Sequence, residues 1–461
     1  MKDILVKVVD LAAQKFGAEY AEARAQKLFK TMLTLKEGRV ETAKQGIESG
    51  VALRVLVNGA WGFASVGSLN IEALTEAVSD ACRMAKAACS RLKNPIKLAE
   101  VKAIEDKVVA KPQKDPSEIP IEDKINTTLA INNAILGYDK RVKSCTIDYL
   151  DLTGTNYFVN NEGAYIEQNK LYVWSRITAT ATEAEIFTVS REEIGSTSSY
   201  EIFDVETPEK IGGEVAKRAV EQLKAKSPKG GSFPVVLGPN VVGVFVHEAF
   251  GHLAEADLTL SGSVLSDKFG KKIASNVVTF YDDGTVEGAF GSFKYDDEGV
   301  PAQKTLLVKD GVVVGLMHNR ETAQKLNMKP TGNARAEDFR VEPIIRMRNT
   351  FMEPKDYSFE ELIEGIKFGY YLKSFRGGQA NLDGTFQVGV QEAYEIIKGE
   401  VGEPVRNASI SGNTLETLRK VDVVGKDFEL SPGRCGKGQT AFVCDGGPHI
   451  RVKEVLVGGS A

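Results

Sequence analysis

The stretch VFVHEAFGHLAEAD, residues 244–257, decides how this chain is read. An apolar run leads into two of the chain's 4 histidines, set five positions apart, with acidic residues at 248, 255 and 257. The familiar metal-binding helix, His-Glu-x-x-His, puts its ligands one turn apart. Here the second histidine comes one residue late. On an ideal helix each residue turns about 100° and rises about 1.5 Å, so Glu248, His252 and Glu255 lie at about 100°, 140° and 80° from His247. All four share one broad face, and Phe245 and Phe250 are left to pack. A π-bulge, pairing i with i+5, brings 247 and 252 nearly into line; a regular helix with splayed imidazoles is the other solution. Gly251 offers backbone freedom and room beside the second imidazole.

Neutral imidazoles suit zinc, and a catalytic zinc takes three protein ligands and leaves one position to water. Glu248, adjacent to one ligand, is placed to take the proton of that water, whose pKa the metal lowers to about 7. The plainer alternative is two helix histidines with no metal. The third ligand must come from elsewhere, and Glu255, Asp257, Cys435, Cys444 and His449 are candidates. Cys435 sits in the Gly-rich SPGRCGKGQTAF (431–442), where Lys437 favours the thiolate. Cys444 follows an apolar run and reads as a buried structural thiol; His449, after Pro448, reads as a loop histidine. Glu255 can orient His252 or act as a fourth ligand.

Around this helix the chain reads as α+β: an N-terminal mixed α/β domain at 1–228, then a β-rich C-terminal domain at 229–461 that carries the metal-site helix. Residues 2–16 and 71–89 carry helical patterns, and 51–67 reads as a hairpin about Asn58-Gly59. Residues 91–120 are charged and Pro-spotted, as a linker. A helix at about 121–137, antiparallel sheet over 142–198, and a helix opened by Thr207 and Pro208 follow. SPKGGSF (227–233) marks the boundary. Pro239-Asn240 starts the metal-site helix. Beyond 260 short strands alternate with Gly-rich turns, broken by one helix at about 358–368.

With 461 residues, a net charge of −5 and no basic stripe, nucleic acid and anionic membrane are poor partners. No apolar run is long enough to span a bilayer, the N-terminus lacks a signal-peptide pattern, and 5 cysteines suggest no disulfide framework, so the cytoplasm is expected.

Several stretches together resemble the TldD/PmbA family of zinc metallopeptidases: GVALRVLVNGAWGFAS (50–65), HEAFGHLAEAD (247–257), DDEGVPAQ (296–303), PTGNARAEDFRVEPIIRMRNTFMEPKD (330–356), GGQ (377–379) and GRCGKGQ (433–439). His-Glu-x-x-x-His is the pattern of that family's catalytic TldD-type subunit. The resemblance implies Zn(2+) held by His247, His252 and Cys435, with Glu248 catalytic. It also implies hydrolysis of short or unfolded peptides held as an added β-strand, and a dimer with a TldE/PmbA-type partner or with itself. Among the polar residues of its motifs, Asn333, Asn349, Arg335 and Arg348 are candidates for substrate contact or for supporting the site, as Glu255 is for orienting His252. Two other functions stay open: a non-catalytic zinc-stabilised peptide-binding or assembly subunit, and a zinc amidohydrolase acting on a non-peptide amide.

Overall fold

Asn58 and Gly59, with φ of 50° and 72°, turn the strand Arg39–Val57 back into Ala60–Val66, the hairpin expected from their sequence. In the computed structural model, which describes residues 1–459, this hairpin is one edge of a seven-stranded sheet. The sheet continues through Tyr20–Lys36, Val142–Asn160 and Tyr165–Glu183, all antiparallel, and Ile186–Ser196 also pairs with the last of these. Lys2–Gln14 and Ile71–Cys89 cover one part of the sheet, and Ile121–Tyr138 with Pro208–Gln222 another, each through its own apolar cluster. Thr207 caps the last helix by accepting from the Lys210 amide, with Pro208 in the first turn.

The 91–120 segment is more than a linker. Glu105–Val108 pairs parallel with Tyr165–Gln168, and Pro116–Glu118 forms a 3-10 turn. Only half of that short strand is shielded, so it carries little apolar pattern, and its pairing is a tertiary fact that local composition hides.

The C-terminal half is mixed but β-rich, as expected. In one sheet Phe368–Ala380, Gly231–Leu237, Ile450–Gly459, Ala408–Asn413 and Thr385–Ile397 pair in turn, and the last returns to the first, closing a ring. A six-stranded sheet ends on Asn349–Met352, Thr440–Gly447 and, at its edge, Glu429–Gly436. Pro239–Val246 leaves the ring after Gly231–Leu237 and is buried along its length between the two sheets. Phe245 packs on Phe386 and Phe250 on Phe280, with ring centroids 5.1 and 5.0 Å apart. The helix expected at 358–368 is only Phe359–Ile363: it has a Ser358/Glu361 capping box, but Gly365 at φ 76° ends it and a strand begins at Phe368. Arg320–Lys325 and Thr414–Arg419 are short helices that the periodicity of the sequence does not announce. No helix among the described residues is long and apolar enough to cross a membrane.

Candidate metal centre

Pro239–Val246 is α-helical, His247–Gly251 is a π turn, and His252–Ala254 is 3-10. The amide of His252 donates to the carbonyl of His247, an i→i+5 bond. The extra residue is thus absorbed by a bulge, and the two imidazole rings sit edge to face with centroids 5.2 Å apart. Gly251 has a different reason from the one expected. Its φ of −55° is ordinary helix, but a Cβ there would lie 2.1 Å from Met347 Sδ, so close packing demands glycine rather than backbone freedom.

Cys435 arrives from 183 positions away at the end of Glu429–Gly436, where a tight hairpin turns into Thr440–Gly447. Its Sγ lies 3.3 Å from His252 Nε2, and one ligand atom from each of His247, His252 and Cys435 falls within 4.8 Å of the others. Burial alone would raise the Cys435 pKa, but His247 and His252 bring it down to about 4. Burial would lower the imidazoles; Cys435 outweighs it, raising His247 to about 9 and His252, with Glu255 contributing, to about 10. The donor set fits a zinc ion. It joins two imidazoles to a thiol predisposed to ionise, and Nδ1 of His247 is buried with no hydrogen-bond partner.

The surrounding residues hold this set in place. His252 Nδ1 faces the buried Glu255 carboxylate at 3.0 Å, which fixes the ring with Nε2 toward Cys435. Lys437 does not serve the thiol. Its ammonium contacts Glu255 at 3.1 Å, Asp257 at 2.7 Å and the Ile345 carbonyl at 3.1 Å, and so ties the Cys435 hairpin to the segment after the helix. Sequence proximity to Cys435 misleads because the chain turns between them. Arg346, fully buried, donates to the carbonyls of Cys435 and Gln439 and clamps both sides of the hairpin.

Glu248 lies on the wall of a cavity of about 510 Å³ that also reaches His247, Cys435 and Asp445. Its carboxylate is 3.9 Å from His252 Nε2. Asp445, unremarked in the sequence, is pushed up to about 7 by burial, with His247 opposing and Glu248 adding to the shift. The alternation along Thr440–Gly447 could have flagged it as sharing a wall with Val443.

Other candidates lie elsewhere. Cys444 is a buried thiol that accepts from the Phe290 amide, and His449 bonds to Asp427 and Tyr371 at another part of the cavity wall. Asp257 is occupied by Lys437. Asn333 and Arg348 do not face the cavity beside Glu248. Arg348 is wholly buried on Asp282 at 2.7 Å, and Asn333 bridges Asp282 and the Arg346 carbonyl. Asn349 likewise binds the Asp283 carbonyl and the Gly291 amide. These buried polar groups brace the strands beneath the Cys435 hairpin and have no free donors to offer a peptide. Arg335 reaches the Met347 carbonyl and lines a different cavity.

Known proteins resemble the chain along its whole length. Residues 21–85, 114–223 and 230–459 match, in turn, PmbA/TldA metallopeptidase domain 1, the central domain and the C-terminal domain. A metalloprotease of Methanothermobacter thermautotrophicus is 41% identical, covering 96% of each chain. A zinc metalloprotease TldD homolog of Saccharolobus solfataricus is 35% identical over 97% of this chain and 98% of its own. Among solved structures, TldE from Thermococcus kodakarensis superposes with a TM-score of 0.77 at 22% identity, covering 99% of this chain and 100% of its own. A Thermotoga maritima protein, described as a candidate modulator of a DNA gyrase, gives 0.80 at 22% identity, covering 99% of each. The order of domains and the near-complete coverage by metalloproteases leave one conclusion: the chain belongs to the PmbA/TldD family of metallopeptidases.

Proposed function

We propose that the chain is a zinc peptidase subunit in which His247, His252 and Cys435 hold the metal and Glu248 moves the proton. The observation that carries this reading is the convergence of the three ligand atoms within 4.8 Å, with Glu248 on the same cavity wall. A zinc ion bound there supplies Lewis acidity, making water nucleophilic near neutral pH and drawing electron density from a peptide carbonyl. Glu248 accepts the proton of the attacking water on its carboxylate and returns it to the departing amine. Glu255 holds the His252 ring by its Nδ1, so Nε2 stays aimed at the centre. Neither Glu255, whose Oε2 is turned to His252 and Lys437, nor His449, held by Asp427, joins His247, His252 and Cys435 in the group of converging ligand atoms. That favours the hydrolase over a purely structural zinc subunit.

The substrate in this reading is a short or unfolded peptide. Glu429–Gly436 is the edge strand of its sheet and ends at the centre, which suits addition of an extended peptide through its main chain. The further parts of the reading are a division into domains at 228/229, a dimer with a TldE/PmbA-type partner or with a second copy, and residence in the cytoplasm, in keeping with 5 free cysteines. Glu248→Gln removes the proton acceptor and keeps the shape. Cleavage of an unfolded casein-type peptide should fall by about 10²- to 10⁴-fold while zinc content stays at the wild-type level. Retention of wild-type cleavage by a purified Glu248→Gln protein refutes the assignment.

A further inference from the structure

A second cavity, of about 260 Å³, lies away from Glu248, between the face of the N-terminal sheet and the C-terminal half. Junctions of this kind are common ligand sites, and the volume is just below the usual range of about 300–1,000 Å³. Its charge is uneven. Lys170, Arg335, Arg346 and Arg434 line it, and among the described residues none has a carboxylate oxygen within the 4.0 Å of an ion pair. Arg335 and Arg346 are buried; Arg335 reaches the Met347 carbonyl and Arg346 two others. The Nε of Arg346 is buried without any partner, and the ammonium of the half-buried Lys170, whose backbone lies in the Tyr165–Glu183 strand, has no hydrogen-bond partner among the described residues. Asp297 sits among these cations but accepts instead from the Ala336 amide, and Glu337 accepts from the Thr440 amide. Buried cations without a counter-ion are costly, and Arg335 and Arg346, buried beside the half-buried Lys170, suit this cavity to an anion. The remaining wall is mixed: Lys30, Lys294 and Asp296 add charge and Gln168 and Asn169 polar groups, while Leu28 and Leu152 from the sheet and Phe293 and Phe442 supply apolar surface.

We propose that this cavity binds a small molecule in which a carboxylate is joined to an apolar group, the carboxylate held by Lys170 and Arg335 and the apolar group between the leucines and phenylalanines. The assignment is independent of the peptidase reading, since it requires neither turnover nor Glu248. The ligand would also lie against Arg346, whose other donors hold the Cys435 hairpin.

The test is equilibrium binding to the metal-loaded protein by calorimetry. N-acetyl-phenylalanine is the probe. N-acetyl-phenylalaninamide lacks its carboxylate, and inorganic phosphate lacks its apolar group. The expected result is saturable binding of the first with Kd between about 10 µM and 1 mM, as befits so small a ligand. Lys170→Met should weaken it about tenfold or more by deleting a charge-assisted bond. Phe293→Ala should weaken it several-fold through the apolar wall. Both variants should keep wild-type metal content and circular dichroism. No saturation by about 10 mM overturns the proposal, since that is weaker than a small apolar carboxylate held by two cations should be. Equal binding of the amide or of phosphate overturns it as well. So does wild-type affinity in Lys170→Met, which would place the probe at the metal centre instead.

Discussion

Gly251→Ala tests whether packing, rather than backbone freedom, fixes the residue between the two histidines. The backbone there is helical, at φ −55° and ψ −51°, so alanine is conformationally welcome and gains about 1 kcal/mol over glycine. Against this, the new Cβ would lie 2.1 Å from Met347 Sδ, where 3.4–4 Å is ordinary contact. The sulfur must therefore retreat by more than an ångström, yet Met347 is only 1% exposed and belongs to the main core. Overpacking of this kind costs about 1–3 kcal/mol, and a displacement this large belongs at the upper end. The net loss is about 2 kcal/mol, or about 4–8 °C in the unfolding midpoint for a unit of this size. Met347 also lies between Arg346, which clamps the Cys435 hairpin, and Arg348, buried on Asp282, so zinc content should fall as well. The assay is thermal unfolding of Gly251→Ala, Met347→Ala and the double variant, with metal analysis of each. In the Met347→Ala background the cost of Gly251→Ala should vanish, because the obstructing sulfur is gone. An unchanged midpoint in the single variant refutes the reasoning, as does an undiminished cost in the double variant.

His318 is 1% exposed, and burial lowers its pKa to about 4. A folded value depressed below the unfolded 6.5 means that the neutral ring supports the fold above pH 6.5 and that this support is lost as pH falls toward 4. The loss is about 3 kcal/mol in full. Denaturant midpoints of wild type should drop more steeply than those of His318→Gln across that window; parallel curves would contradict it. Lys437→Met leaves the buried Glu255 with His252 as its only partner and frees the hairpin from Asp257. The expected cost is about 2–3 kcal/mol, less than for a fully buried pair because Asp257 keeps solvent. A change in denaturation midpoint worth under about 0.5 kcal/mol would show that Lys437 is not the tie described.

How much of this was legible in the chain differs from residue to residue. His247, Glu248 and His252 declare themselves because a rare residue type recurs at a spacing that helix geometry can test, and the bulge was one of two solutions that geometry allowed. The Asn58-Gly59 hairpin and the Thr207-Pro208 helix start were readable because local backbone chemistry decides them. Cys435 was one of five candidates until family resemblance favoured it, since a ligand across 183 positions leaves no local period to read. Lys437 was misread for the complementary reason: two positions in sequence became different directions once the hairpin turned. For Asn333 and Arg348 substrate contact and support of the site stayed equally open, because nothing in their local sequence reveals that Asp282, some 50 or more positions earlier, receives both. Asp445 carried no motif at all, and Arg346, though inside the 330–356 motif, had nothing beside it in sequence to reveal the hairpin it clamps; the parallel pairing of Asn349–Met352 with Thr440–Gly447 brings these segments together.

The central claim is that His247, His252 and Cys435 hold one metal ion together. Its most direct test is metal analysis of the purified chain against Cys435→Ala, with circular dichroism to confirm that both are folded. About one zinc per wild-type chain and a small residue in Cys435→Ala is the predicted result, because two imidazoles on one π turn are an incomplete set for this ion. Equal zinc in the two proteins, or none in a folded, active wild type, would contradict it.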